Sequence, residues 1–370
     1  MGIGGIILPL VSPLSAQADP DLDLYHFSGA GEVCPEIISF VERDGGRVDW
    51  GVNNMIAYDK YDLTTQHFQV WIMGSDGTSP QCVTSQNSTL AQIDVGDPAW
   101  HPSGNYLVVQ AADMPAPPMA TVRPALYNRV ISPGIGFNND LWIISTDGKH
   151  AAALTHLDNG HGVLHPHFSH SGDLLLWSEM VTRNPQKWVM HIGKFRVGSD
   201  GPHLTDVQTL DPLGNAFYEA DDFTPDDKQI LFSTTKVEKD YRHLSIVRMD
   251  LAGGKTTYLT DPGANEWNEN ARYSPDGKKI IWSSSMGIEQ KPDAKVTRND
   301  FWIMNADGTN KHRLTFFNQP DAREFRQAFN IASDPSWSPN GLGFVGYLQL
   351  RTKGEAPDSF TGSILRIKLP

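Results

Sequence analysis

A pair of turn signals recurs along this chain and restricts what it can fold into. In the clearest copy, residues 274–277 read Ser-Pro-Asp-Gly, which suits a type I turn with Pro second and Gly fourth. The Asp307-Gly308 pair then lies between two apolar runs, as in a tight β-hairpin. The segment therefore predicts four short antiparallel strands, named a to d, at 270–274, 279–285, 300–305 and 311–315.

The same pattern occurs six times, with roughly 50–70 residues between successive turns. One such sheet cannot bury both of its faces, whereas sheets set radially around an axis cover one another. We therefore predict an all-β fold, a six-bladed β-propeller of four-stranded antiparallel blades. The sixth copy stops after its third strand, so an N-terminal clasp strand, with 37–42 as the candidate, would close the ring. A seventh blade in the lead-in is the competing count.

The 370 residues divide into three predicted parts. Residues 1–18 resemble the remainder of a signal peptide, because an apolar run precedes the small-x-small pattern Ala16-Gln17-Ala18. An ordinary apolar strand is the alternative. Residues 19–47 would be the lead-in with the clasp strand, and 48–370 the propeller. A periplasmic or secreted protein is expected, and no later apolar run approaches the roughly 20 residues that span a bilayer.

Charge and motif content disfavour several functions. The net charge is −13 at pH 7, whereas proteins that bind nucleic acid usually present a basic surface. No glycine-rich phosphate loop precedes a helix and no Gly-x-Ser-x-Gly elbow occurs, so neither a nucleotide cofactor nor a serine peptidase is expected. The two cysteines, Cys34 and Cys82, would form a disulfide in an exported protein, with two free thiols as the alternative. We expect a monomer.

Connection lengths distinguish the two faces of the predicted propeller. The a–b and c–d turns share one face and are tight, whereas the b–c and d–a connections share the other face and are long. The long connections are predicted at 111–139, 178–187, 206–219, 286–299, 316–333 and 349–362. Long connections gathered on one face are typical of a functional surface, so we expect a funnel there at the mouth of the central channel.

The first residues of each strand a are candidates for a site on the propeller axis. With an uncertainty of one residue, they include Asp97, His165, Asn270 and Asp334, with Arg47 or Asp49 in the first repeat. Carboxylate, imidazole and amide groups that converge in this way suit a divalent cation such as Ca²⁺, Mn²⁺ or Zn²⁺. The alternative is that these side chains cap the starts of the strands.

Histidines are concentrated in the third repeat. His165 and His167 are two residues apart, so on a strand they share one face and are candidate metal ligands. His161 precedes them in the connection, whereas His170 falls in a turn at the opposite face and is not expected to join them.

Aromatic, basic and acidic side chains of the long connections suit a saccharide ligand, through ring stacking and Arg–carboxylate pairs. The ligand-binding candidates are Tyr127, Arg129, Glu219, Asp222, Trp267, Asn268, Glu269 and Glu324. The catalytic candidates are Arg123, Arg323, Arg326 and His161. A solvated or capping role is the alternative for each group.

The recurring Ser-Pro-Asp-Gly and Asp-Gly…Leu-Thr motifs resemble the repeats of TolB-like propellers, a family related to WD-repeat propellers, over about residues 48–370. The resemblance implies a propeller but not one function, because such propellers serve as scaffolds, gating domains and enzymes. The His165-Pro166-His167 stretch also resembles oligogalacturonate lyases, whose channel histidines hold a metal. Alignment on Phe168 leaves His165 on a ligand position and places Asn270 or Asp334 where the family has a second histidine.

Two functions therefore remain open. The first is an exported propeller that binds a saccharide or protein partner in the funnel without chemistry. The second is a metal-dependent lyase that acts on uronate-containing sugars by β-elimination, in which a cation acidifies the sugar α-proton and an Arg, Lys or His accepts it.

Overall fold

The structure, a computed structural model, describes residues 37–113, 133–134, 136–199, 201–214, 216–235, 243–290, 297–322, 329–351 and 362–370. The predicted signal segment 1–18 lies outside these residues. So do the site candidates Arg123, Tyr127, Arg129, Arg323, Glu324 and Arg326. Cys34 is also outside them, so the disulfide with Cys82 stays a prediction. In the described part of the chain, no helix is long and apolar enough to cross a membrane.

Six four-stranded antiparallel sheets form the blades, which confirms the predicted all-β, six-bladed propeller. Blade 1 contains β2 (Val48–Trp50), β3 (Met55–Asp62), β4 (His67–Gly74) and β5 (Gln81–Cys82). Blade 2 contains β6 (Val95–Trp100), β7 (Tyr106–Ala112), β8 (Asn139–Ser145) and β9 (Ala151–Ala153). Blade 3 contains β10 (Gly162–Phe168), β11 (Leu174–Arg183), β12 (Gln186–Gly198) and β13 (Gly201–Leu210).

The other three blades repeat this plan. Blade 4 contains β14 (Tyr218–Phe223), β15 (Gln229–Thr235), β16 (Leu244–Asp250) and β17 (Thr256–Tyr258). Blade 5 contains β18 (Asn268–Tyr273), β19 (Lys279–Ser284), β20 (Asp300–Asn305) and β21 (His312–Arg313). Blade 6 contains β22 (Phe329–Trp337), β23 (Gly343–Arg351) and β24 (Gly362–Lys368). The N-terminal strand β1 (Ile37–Gly45) pairs antiparallel with β24, and Ile38 lies opposite Ile367.

The predicted connection at 178–187 is wrong, because strands occupy most of it. β11 runs on to Arg183 and β12 begins at Gln186, so two residues, Asn184 and Pro185, join them. Pairing continues to the end of the hairpin, where Arg183 lies opposite Gln186. The predicted connection at 206–219 is also too long, since β13 continues to Leu210 and β14 starts at Tyr218.

Each strand a ends on an aromatic residue that packs between blades. Five of them are buried: Trp100, Phe168, Phe223, Tyr273 and Trp337. Hydrogen bonds tie these positions to the blade before. The backbone N–H of Tyr273 donates to Asp222 at 2.8 Å, and that of Trp100 donates to Asp49 at 2.8 Å. The inner strands are thereby fixed relative to one another around the axis.

Candidate functional site

A β-bulge interrupts strand a, the innermost strand, in blades 2 to 6. One extra residue on strand a there shifts its register against strand b. In four of these blades the first bulged residue has a positive φ: 51° at Asp97, 45° at His165, 57° at Asn270 and 51° at Asp334. Residues other than glycine rarely adopt this conformation, and a bulge re-aims the side chain that it carries. The four side chains line one cavity on the axis.

Three of these side chains, from blades 2, 3 and 6, converge closely. His165 Nδ1 lies 3.7 Å from Asp97 Oδ1 and 4.0 Å from Asp334 Oδ1. The three atoms all lie within 4.8 Å of one another. Ligand atoms bonded to one cation at about 2.1–2.4 Å lie about 3–4.8 Å apart, so the donor set fits a divalent cation.

The remaining polar atoms of the three residues are held by neighbours, which leaves the converging atoms facing one another. Asp97 Oδ2 accepts hydrogen bonds from Gln110 Nε2 at 2.6 Å and from the backbone N–H of His165 at 3.1 Å. Asp334 Oδ2 accepts one from the Ser333 hydroxyl at 2.6 Å. No hydrogen bond to either Oδ1 atom is found among the described residues.

Glu219 of blade 4 orients the imidazole. His165 Nε2 lies 2.7 Å from Glu219 Oε1. A carboxylate on one ring nitrogen is the usual partner of a histidine whose other nitrogen binds a metal. Asn270 completes the ring from blade 5, where its Oδ1 accepts a hydrogen bond from the Asp334 backbone at 3.3 Å.

The electrostatics of the cluster favour positive charge at this point. Burial lowers the pKa of His165, but the nearby carboxylates of Asp97 and Glu219 outweigh burial and raise the pKa to about 10. Burial would raise the pKa of Glu219, yet His165 and Glu269 bring it down to about 2. Three carboxylates therefore surround one imidazole that is charged when no metal is bound.

Two further buried carboxyl groups, those of Glu269 and Asp221, lie near Glu219. Burial and the proximity of Glu219 hold the pKa of Glu269 well above its ordinary value, so Glu269 keeps its proton and shares a hydrogen bond with Glu219. Asp221, at the bulge of blade 4, is buried, and burial raises its pKa to about 8. Glu219 and Glu269, two of the glutamates predicted from the sequence, thus belong to the axial cluster.

His167 lines the same cavity but is not one of the three converging groups. Its ring stacks on His165 at 6.5 Å between centroids, and its Nδ1 is buried without a hydrogen-bond partner. His170 lies beyond the end of β10, with its Nδ1 3.5 Å from Asp227, and is not among the cavity-lining residues.

Other predicted residues have structural contacts instead. Asp222 accepts hydrogen bonds from the backbone N–H groups of Phe223 and Tyr273. The Asn268 side chain accepts from Trp282 and Ser284 and donates to Leu244. Trp267 packs against the core of blades 3 and 4, and His161 does not line the axial cavity.

Two arginines line the axial cavity: Arg47, which sequence analysis named as an alternative to Asp49 in the first repeat, and Arg272, which sequence reasoning missed. The cavity is lined by Arg47, Val48, Asp97, Pro98, His165, His167, Asp221, Asn270, Arg272 and Asp334. Its volume is about 10 Å³, the room that one water-sized sphere occupies. A signal for Arg272 was present, since it follows Asn270 by two residues and strand residues two apart share a face.

Comparison with known proteins supports the fold. No protein-family profile matches the chain. The structure is similar to TolB from Acinetobacter baumannii, with 17% identity and a TM-score of 0.52 over 89% of this chain and 64% of that one. The chain has a TolB-type propeller fold. It covers less than two thirds of that TolB.

The TolB-type propeller is also similar to two oligogalacturonate lyase structures. One is from Vibrio parahaemolyticus, with 10% identity and a TM-score of 0.50 over 94% of this chain and 96% of that one. The other is an oligogalacturonate lyase in complex with manganese, with the same identity, TM-score and coverage. Identities this low show a shared fold alone.

Proposed function

We propose that this TolB-type propeller is an exported, monomeric binding protein that holds a divalent cation on its axis. It would bind a saccharide ligand at the face that carries the long b–c and d–a connections. The observation that carries the proposal is the convergence of Asp97, His165 and Asp334 from three blades, with their ligand atoms within 4.8 Å. Their second polar atoms are held by Gln110, Glu219 and Ser333, so the donor set is preorganised.

We take Mn²⁺ as the proposed cation, because the donor types disfavour Ca²⁺ among the candidates. Two carboxylates and one imidazole form a mixed oxygen and nitrogen set, which suits Mn²⁺ better than Ca²⁺, an ion that takes oxygen ligands. The lyase of the same fold in complex with manganese agrees with this choice. A bound cation would supply a fixed positive charge for hydroxyl or carboxylate oxygens of a sugar. Because the cavity is so small, only the tip of a ligand enters it.

Calorimetric titration of chelator-treated protein with Mn²⁺ tests this proposal. We expect one site per chain in the wild type and at least about tenfold weaker binding in Asp97→Asn and Asp334→Asn, because each loses a charged ligand. Asp276→Asn is the matched control, since Asp276 lies in an exposed turn of blade 5. Absence of binding to the wild type, or equal loss in the control, contradicts the proposal.

A β-eliminating lyase is the second candidate, favoured by the similarity to the manganese-bound lyase structure and by the unpartnered Nδ1 of His167 in the cavity. In that reaction a base takes the proton α to a uronate carboxylate, and the bond from the β-carbon to the glycosidic oxygen breaks. The leaving oxygen gains a proton and a conjugated double bond remains. His167 would be the base.

Ultraviolet absorbance of polygalacturonate digests with Mn²⁺ separates the two candidates. A rise in absorbance that is lost in His167→Ala, with Mn²⁺ binding retained, supports the lyase. If the wild type binds Mn²⁺ and yields no absorbing product, the lyase is excluded and the binding function stands.

A further inference from the structure

Two guanidinium groups face the axial cavity without a partner of their own. Within the described residues, neither the Arg47 nor the Arg272 side chain donates a hydrogen bond or forms an ion pair. Arg47 Nε is fully buried and unsatisfied. A buried charged donor that is left unpaired is costly, so Arg47 Nε points to a missing acceptor, and the partly exposed Arg272 brings a second unpaired guanidinium to the same cavity.

The surroundings hold Arg47 in place. Its backbone N–H donates to Asp59 Oδ1 at 3.1 Å, and Asp59 Oδ2 accepts from the Asp97 backbone at 3.0 Å. Gly134 lies directly against the guanidinium, so that a Cβ at this position would overlap it. Gly134 is itself fixed, since its N–H donates to Gln110 Oε1 at 2.9 Å. The Arg47 guanidinium is therefore enclosed rather than extended into solvent.

Arg272 reaches the same cavity from blade 5. It lies on β18 two residues after Asn270, and its charge acts on the neighbouring groups His167, Asp221 and Asp222. The cation ligands and the two arginines therefore line one space. Positive side chains from blades 1 and 5 adjoin negative side chains from blades 2 and 6.

We infer that Arg47 and Arg272 receive a carboxylate group of the ligand, beside the cation held by Asp97, His165 and Asp334. A planar carboxylate matches the fork of guanidinium donors, which can hold both of its oxygens. The inference rests on the proposed function for the place of the cation, and it narrows the ligand to sugar acids.

Cation and carboxylate should strengthen each other's binding. The charges of Asp59, Asp97 and Asp334 act on Arg47. A divalent cation on the two aspartates that line the cavity would offset their charge and leave the arginines uncompensated, which favours an anion. By linkage the anion must then favour the cation by the same factor.

A matched pair of sugars tests the inference, because D-galacturonate and D-galactose differ only in a carboxylate against a hydroxymethyl group. In calorimetric titrations with Mn²⁺ present, we expect galacturonate to bind at least about tenfold more tightly than galactose. Arg47→Gln and Arg272→Gln should each lose about tenfold in galacturonate affinity, and the corresponding lysine variants should recover part of it. Arg196→Gln is the control, since Arg196 pairs with Asp173 on the surface of blade 3.

The Mn²⁺ affinity of the same variants identifies the cause of any loss in galacturonate affinity. Removing a positive charge beside the cation should leave Mn²⁺ binding unchanged or tighter, whereas a general loss of structure would weaken it. Weakened Mn²⁺ binding in both glutamine variants would assign these arginines a structural role and overturn the inference. Equal affinity for the two sugars with normal Mn²⁺ binding would also overturn it, and the cation site would stand. A wild type that binds no Mn²⁺ would instead contradict the proposed function.

Discussion

At the scale of single residues, the site depends on a backbone conformation that the sequence does not display. Asp97, His165 and Asp334 each precede a proline, which suggested a strand start but left the register open by one residue. The structure resolves this with a bulge at which each of them adopts positive φ. The residue types were therefore predictable, whereas the direction of their side chains depends on the extra residue in each strand.

Asp221 gives a pH-dependent prediction. Burial raises its pKa from 3.8 to about 8, so the folded protein binds a proton that the unfolded chain has lost across this range. Its contribution to stability is therefore full below pH 3.8 and is lost as the pH rises through 8. Each pH unit between the two pKa values changes the free energy of unfolding by about 1.4 kcal/mol, so Asp221→Asn should gain roughly 4 kcal/mol in the free energy of unfolding relative to the wild type between pH 5 and pH 9.

Denaturant unfolding at both pH values measures this difference. Asp276→Asn is the control, because hydrogen bonds from Ser274 and Lys278 lower the pKa of the exposed Asp276 to about 2, so that it stays ionised throughout. If the free energies of unfolding of Asp221→Asn and the wild type differ by the same amount at pH 5 and pH 9, Asp221 does not hold a proton at neutral pH.

At the scale of strands and blades, turn chemistry made most of the elements predictable. The tight turns at 274–277 and 307–308 appear where expected, and β18 to β21 of blade 5 match the four predicted strands within a few residues. Blade 3 differs from the prediction, because β11 and β12 stay paired up to the two residues that connect them. The Asn184-Pro185 dipeptide is a turn signal that could have revealed it.

The hydrogen bonds between successive inner strands should be needed for stability. Asp222 accepts from the backbone N–H of Tyr273 in the next blade at 2.8 Å, in a buried environment. Asp222→Ala leaves that N–H without a partner, so we expect a loss of roughly 1–3 kcal/mol in the free energy of unfolding. Asp226→Ala, in the exposed turn of the same blade, should change stability far less. Equal effects of the two substitutions in denaturant unfolding would refute this role for Asp222.

At the scale of the whole molecule, β1 connects the last blade to the first. It pairs with β24 of blade 6, while its Glu42 accepts a hydrogen bond from the Tyr58 hydroxyl of blade 1 at 3.3 Å. Ile38 is 4% exposed and belongs to a hydrophobic cluster that blades 5 and 6 share. The contacts of β1 therefore join residues that are more than 300 positions apart.

Ile38→Ala tests whether β1 contributes to the stability of the entire ring. We expect a loss of about 2–4 kcal/mol in the free energy of unfolding, since the substitution leaves a cavity in the cluster between blades 5 and 6. Leu63→Ala is the comparison, because Leu63 is 84% exposed. If thermal and denaturant unfolding give the same stability for both variants, β1 is not part of the cooperative structure.

The proposed function depends on the axial cation, and anomalous diffraction from crystals soaked in Mn²⁺ tests for that cation most directly. The predicted result is one strong peak at about 2.0–2.4 Å from Asp97 Oδ1, Asp334 Oδ1 and His165 Nδ1. The peak should be absent from crystals of Asp97→Asn soaked in the same way. A wild-type map without a peak on the axis, or with manganese bound only elsewhere, would contradict the proposed cation site.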